Sequence, residues 1–105
     1  MAYREGLGEF EQLALLAVYR LGKEAYGTSI RQAIEKAVER SISIGALYTT
    51  LDRLQIKGYV SSELGEPTPE RGGRAKRFFS ITPSGEGAIK RTLQGVRKLA
   101  PEFLT

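Results

Sequence analysis

Apolar residues recur with helical spacing in four stretches of this chain and alternate weakly in two others. Over residues 9–21, Phe10, Leu13, Ala14, Ala17 and Leu21 fall on one stripe, and Leu16 and Val18 widen it until most of the helix is apolar. A helix that apolar in so short a chain is either central or shared with a partner. Gly22 follows as its stop. After Tyr26-Gly27, Thr28 and Ser29 are both good N-caps, and Ser29 with Gln32 has capping-box spacing. Ile30, Ala33, Ile34, Ala37 and Val38 then make a second buried stripe, opposite a solvated face of Arg31, Gln32, Glu35, Lys36 and Glu39.

The third helix is predicted from an N-cap at Ser43 to a stop at Gly58. Ile44, Leu47, Leu51 and Leu54 form its narrow apolar seam. At 100° per residue the far side holds Gly45, Ala46, Thr49, Arg53 and Lys57, with Tyr48 and Asp52 on the flank. That face is small and hydrogen-bonding near its start and basic toward its end, a shape suited to close approach.

Residues 59–64 and 75–82 have strand character and are joined by a turn-rich stretch, 65–74, with Pro67, Pro69, Gly72 and Gly73. The pair reads as a β-hairpin with a long tip. Thr82-Pro83 opens a fourth helix as N-cap and N1 proline. Ile89, Leu93, Val96 and Ala100 lie on one side of it, with Leu99 adjacent. Gly85, Gly87 and Gly95 weaken this helix by up to about 1 kcal/mol each against alanine, so packing must hold it. Pro101 ends or bends it, leaving Phe103 and Leu104 in an apolar tail.

Composition narrows the chemistry. The 105 residues include no His and no Cys. Cys/His zinc sites, thiol nucleophiles, disulfides and histidine acid–base arrangements are therefore excluded. The carboxylate pairs Glu9/Glu11 and Glu35/Glu39 suit a helix start and a polar helix face. With no nucleophile–base pair, phosphate-cradling loop or metal cluster, an enzyme is not expected, and neither is a cofactor. No run is long and apolar enough to cross a bilayer, and no signal-peptide pattern is present, which points to a cytoplasmic protein. The net charge of +4 is unevenly placed. Residues 1–40 balance six bases with six acids, and residues 41–105 carry ten bases against six acids. A basic half on a neutral half fits either a polyanion-binding face or a mildly basic surface.

Helix, helix, short turn, helix and hairpin is the order of a winged helix-turn-helix. The expected fold is mainly α with a small β-hairpin: residues 1–82 as a DNA-binding winged helix-turn-helix, and 83–105 as a dimerisation helix and tail in the same compact unit. In such motifs the second helix of the pair enters the major groove. Ser43, Gly45, Ala46 and Thr49 permit the approach, Tyr48 lies at the rim, and Arg53 and Lys57 reach phosphate or a base edge. In the hairpin, Arg71, Gly72, Gly73, Arg74 and Lys76 are the candidate contacts. Strand alternation puts Arg77 on the other face with Phe79 and Ile81, where a structural role fits equally.

These residues also carry a resemblance. Leu7-Gly8-Glu9-Phe10-Glu11, then Ala25-Tyr26-Gly27, then residues 45–54 (GALYTTLDRL) with Gly58-Tyr59-Val60, resemble the PadR family of bacterial transcriptional regulators. The stretch 73–82 (GRAKRFFSIT) followed by Gly85 is similar to that family's wing signature. The resemblance covers about residues 7–93. It implies a winged-helix homodimer that represses transcription and is relieved by a small ligand or another signal. Phe79 stands where the family often has tyrosine. The stretch after the fourth helix is short, so the large C-terminal helical domain of longer members is not expected, nor an effector site built on one.

The fourth helix needs its own account, because a winged helix-turn-helix is complete by Thr82 and a small domain has limited core to cover. The expectation is that it packs with the first helix against a second copy through Phe10, Leu13, Ala17, Ile89, Leu93, Val96 and Leu99. Two recognition helices would then lie about 34 Å apart, matching an inverted-repeat operator in double-stranded DNA. A small hydrophobic effector at that interface would rely on Phe10, Phe103 and the tyrosines, since the chain has no Trp. The competing classes are a winged-helix protein-interaction module, against which the lack of apolar anchors on the third helix counts, and a nonspecific architectural DNA binder.

Overall fold

A computed structural model describes residues 6–65 and 75–104. In chain order it contains α1 (Glu9–Leu21), a 3-10 turn (Gly22–Glu24), α2 (Gly27–Val38), α3 (Ile44–Ile56), β1 (Val60–Leu64), β2 (Arg77–Ile81), α4 (Pro83–Leu99) and a closing 3-10 turn (Pro101–Leu104). The two strands are antiparallel, with Val60 opposite Ile81 and Leu64 opposite Arg77. This is the expected mainly helical architecture with one hairpin.

The core forms where α1, α2 and α3 meet the hairpin. Leu15, Val18, Ile30, Leu47, Leu51, Leu54 and Phe79 are its large, fully buried side chains. On α1 the buried line runs through Glu11, Ala14, Leu15 and Val18. That line is rotated from the expected one, leaving Phe10, Leu13, Leu16 and Leu21 half-buried at its edges. The rotation puts a carboxylate among buried positions, with consequences described below.

Local chemistry sets the helix ends. α2 starts two residues before the expected caps, with Tyr26 as N-cap and Ser29 at N3, where its Oγ accepts from the Tyr26 N–H at 3.0 Å. At its other end Glu39 takes a left-handed conformation, φ 56°. Glu35, assigned above to the solvated face, accepts from the Ile42 N–H at 2.7 Å and fixes the turn into α3. Ser43 caps α3 as expected, its Oγ accepting from the Ala46 N–H at 3.2 Å. Two other expectations fail locally: Ile44, the first residue of its helix, is exposed, and Ala37 is exposed on the open groove between α1 and α2.

Thr82 caps α4, accepting from the Gly85 N–H at 3.0 Å and donating to the Gly58 carbonyl at 2.6 Å. Gly85 has a specific reason to be glycine. A Cβ there would collide with the Tyr59 carbonyl, so the helix start lies directly on the turn into β1. α4 then packs against α1 through Ala88 and Ile89, and from Lys90 onward its surface opens to solvent. Val96 is 40% exposed, Leu99 88% and Phe103 79%.

Candidate nucleic-acid interface

α3 is held by a completely buried seam, Leu47, Leu51 and Leu54, joined by Thr50. With that side anchored, Ser43, Gly45, Ala46, Thr49 and Arg53 all stand exposed. Gly45, Ala46, Thr49 and Arg53 thus share one solvent face, the first three small or hydroxyl-bearing, and Ser43 is exposed at the helix start as its N-cap. Asp52 and Gln55 are exposed on its flank.

Lys57, expected on this face, and Tyr48, expected at its rim, have other duties. Lys57 donates to both Glu11 carboxylate oxygens at 3.0 Å and to the Gly6 carbonyl at 3.1 Å. Its ammonium is thereby committed to tying the end of α3 to the start of α1, and it is not presented with Arg53. Tyr48 is half-buried. Its ring lies over the backbone of Gly27, where any Cβ would strike the phenol, and its centroid is 6.5 Å from that of Phe79. Tyr48 therefore packs α3 against the start of α2, and glycine at 27 makes the space.

The same ion pair explains the carboxylate inside α1. Burial pushes the Glu11 carboxyl up, but the Gly8 N–H, the Lys57 ammonium and the nearby Arg53 charge together outweigh it. Its pKa lies below the ordinary carboxylate range, and the group is ionised at neutral pH. The position was readable in principle: 11, 14, 15 and 18 share a helical face. A Glu on a buried face calls for a cation elsewhere in the chain.

The hairpin is fastened to the helix pair at its root. The Phe79 N–H donates to the Ala25 carbonyl at 2.8 Å, and Tyr26 forms an isolated antiparallel bridge with Phe78. The Tyr26 and Phe78 rings meet edge to face at 5.6 Å, and the Lys76 ammonium lies 4.1 Å from the Tyr26 ring centroid. Lys76 is exposed, at the loop end of the hairpin. Arg71, Gly72, Gly73 and Arg74 fall outside the described residues. Tyr26 was not among the expected site residues; its place beside Gly27 was the available signal.

The apolar set expected to meet a second copy is divided by the structure. Ala17 and Ile89 are 6% exposed and belong to this chain's own core, where α1 and α4 pack on each other. Phe10, Leu13 and Leu93 are half-buried at the core's edge, while Val96 and Leu99 are exposed. An open apolar groove runs between α1 and α2, lined by Leu13, Leu16, Ala17, Tyr19, Leu21 and Ala33, with Arg20 and Lys36 at it; it shares Leu13 and Ala17 with the set expected at the second copy.

No group of three or more metal-ligating side chains occurs among the described residues, and no helix there is long and apolar enough to cross a membrane. Comparison with known proteins supplies the family. Residues 15–91 match the model of the transcriptional regulator PadR-like family. The chain belongs to the PadR-like family. It is similar to the transcriptional regulator Rv3488 of Mycobacterium tuberculosis, at 30% identity over 99 residues covering 91% of this chain and 88% of that protein. Its fold is that of a PadR-like transcription factor from Bacteroides fragilis, TM-score 0.73 at 22% identity, over 89% of this chain and 84% of the other. A complex of RosR from H. salinarum is also similar, TM-score 0.67 at 26% identity over 88% and 72%. This PadR-like protein is a DNA-binding transcriptional regulator, and its function is regulation rather than catalysis.

Proposed function

We propose that this PadR-like protein is a cytoplasmic homodimeric repressor that reads an inverted repeat in double-stranded DNA. The observation that carries this reading is the exposed strip of α3: Gly45, Ala46, Thr49 and Arg53 on one face, with Ser43 exposed at the helix start, opposite a seam of buried leucines. Small side chains let the helix backbone come close to base edges, and Arg53 supplies a fork for a guanine or a phosphate. Lys76 and, from their sequence alone, Arg71 and Arg74 contribute phosphate contacts from the hairpin.

The second copy is met through Phe10, Leu13, Leu93, Val96 and Leu99. Val96 and Leu99 continue a stripe that this chain's own core covers fully at Ile89 and only partly at Leu93. Ala17 and Ile89 support the surface from beneath. Release from DNA by a small hydrophobic molecule is part of this reading; the open α1–α2 groove is mostly apolar and includes Tyr19, but not the Phe10 and Phe103 expected to hold such a molecule.

Selection of binders from a random duplex pool at two salt concentrations tests the reading. The expected result is an enriched inverted repeat with half-site centres about 10 bp apart and an affinity that falls steeply with salt. Salt-sensitive binding without enrichment would make the protein an architectural DNA binder.

A further inference from the structure

One cation in the wing is neither on the DNA-facing strip nor idle. Arg77, on β2, reaches across β1 to α3. Its Nε donates to Ser62 Oγ at 3.1 Å, and its Nη2 donates to Gln55 Oε1 at 2.9 Å. Ser62 Oγ itself donates to the same Gln55 oxygen at 3.0 Å, so strand, strand and helix close into one hydrogen-bonded ring. Nη1 lies 3.6 Å from Asp52, one turn earlier on α3. Beneath, the guanidinium sits 5.0 Å from the ring centroid of Phe79, a fully buried residue. An exposed Arg–Asp pair alone contributes little. Here the rigid planar fork satisfies several acceptors at once while resting on an immobile ring, a combination a lysine cannot reproduce.

The two acceptors on α3, Asp52 and Gln55, bracket Arg53, which belongs to the proposed DNA face. The far end of the clamp is the strand that leads out of the wing tip. We infer that Arg77 is a positioning residue: it fixes the angle of the wing against α3, so that both engage one duplex in a single register. This inference rests on the DNA reading of α3. It assigns Arg77 no contact with DNA.

A double-mutant cycle on a selected duplex and a random duplex tests it. Arg77→Lys keeps the charge and loses the fork, and Gln55→Ala removes the acceptor. Each is expected to weaken binding to the selected duplex about five- to tenfold, with little change on random DNA and an unchanged salt slope. The double variant should be no weaker than the stronger single one, because both break the same link. Additive losses would mean two independent DNA contacts and overturn the assignment. So would a loss shared equally by both duplexes, or a salt slope reduced by about 1 in Arg77→Gln, the mark of a phosphate contact.

A DNA-free measurement keeps the inference separable from the proposed function. The chain has no cysteine, so spin labels at Thr49→Cys and Lys76→Cys report the distance between α3 and the loop end of the hairpin. Arg77→Lys should broaden that distribution in the folded protein. An unchanged distribution would sink the clamp even if operator binding is confirmed. A broadened one with no selected duplex would sink the DNA reading and leave the clamp standing.

Discussion

α3 and α4 are both amphipathic helices with a narrow apolar seam, and they finish in opposite conditions. On α3, Leu47, Leu51 and Leu54 are fully buried, and what stands exposed is small or polar apart from Ile44 and Ile56 at the two ends. On α4, Gly85, Ala88 and Ile89 are buried, and the seam then continues through Val96 and Leu99 into solvent. A helix whose apolar side is satisfied within the chain offers its remaining face to a polar, charged partner. A helix whose seam outruns the core offers an apolar face, and lone exposed residues of that kind are ordinary while a continued stripe marks an interface. This difference is what supports the proposal that α3 meets DNA and α4 a second copy.

The comparison can be broken first at α4. Val96→Asp combined with Leu99→Asp leaves the helix start and Ile89 untouched. The variant is expected to sediment as a folded monomer and to lose about 10²- to 10⁴-fold in affinity for a two-half-site duplex, the usual range of the avidity gained by linking two sites. At α3 the corresponding break is internal. Leu51→Ala should destabilise the fold by about 2–5 kcal/mol in denaturant unfolding, because the seam is completely buried. On the outer face, Arg53→Ala should reduce binding to the selected duplex by about 1–3 kcal/mol if the fork reads a base. An equal loss on random DNA would reassign it to phosphate.

The finest distinction is between Arg53 and Lys57, neighbours on one helix side with different fates. Lys57→Met leaves Glu11 partly buried without its cation, and is expected to lower stability by about 1–3 kcal/mol while leaving the salt slope of DNA binding unchanged. The sign of the pH dependence follows from Glu11. Its folded pKa is depressed, so the stabilisation is fully present above the ordinary glutamate value of about 4.3 and is lost as pH falls through the lower folded value. Glu11→Gln should remove that part of the acid limb in unfolding followed by circular dichroism.

Much of this was legible in the chain because local signals agreed with the global fold. Ser43, Thr82-Pro83 and Gly58 mark helix ends by chemistry that depends on few neighbours, and the element order followed from them. The exposed half of the α3 face was readable for the same reason: a seam of three leucines leaves one geometric answer for Gly45, Ala46, Thr49 and Arg53. What failed was anything decided by a distant partner. Lys57 looked equivalent to Arg53 until α1 supplied Glu11, 46 positions away in sequence. Ala17 and Ile89 looked like interface residues because periodicity gives a face without saying which helix covers it. The turn residue Glu35 and the clamp residue Arg77 likewise acquire their roles only from the acceptors and donors that the fold brings to them.

Hydroxyl-radical footprinting of the selected duplex tests the division of labour between the two helices most directly. The wild-type protein is expected to protect two segments about 10 bp apart on one side of the DNA, and Val96→Asp with Leu99→Asp to lose both protections together at the same concentration. A single protected half-site in the wild type, or two protections that survive in the α4 variant, would contradict it.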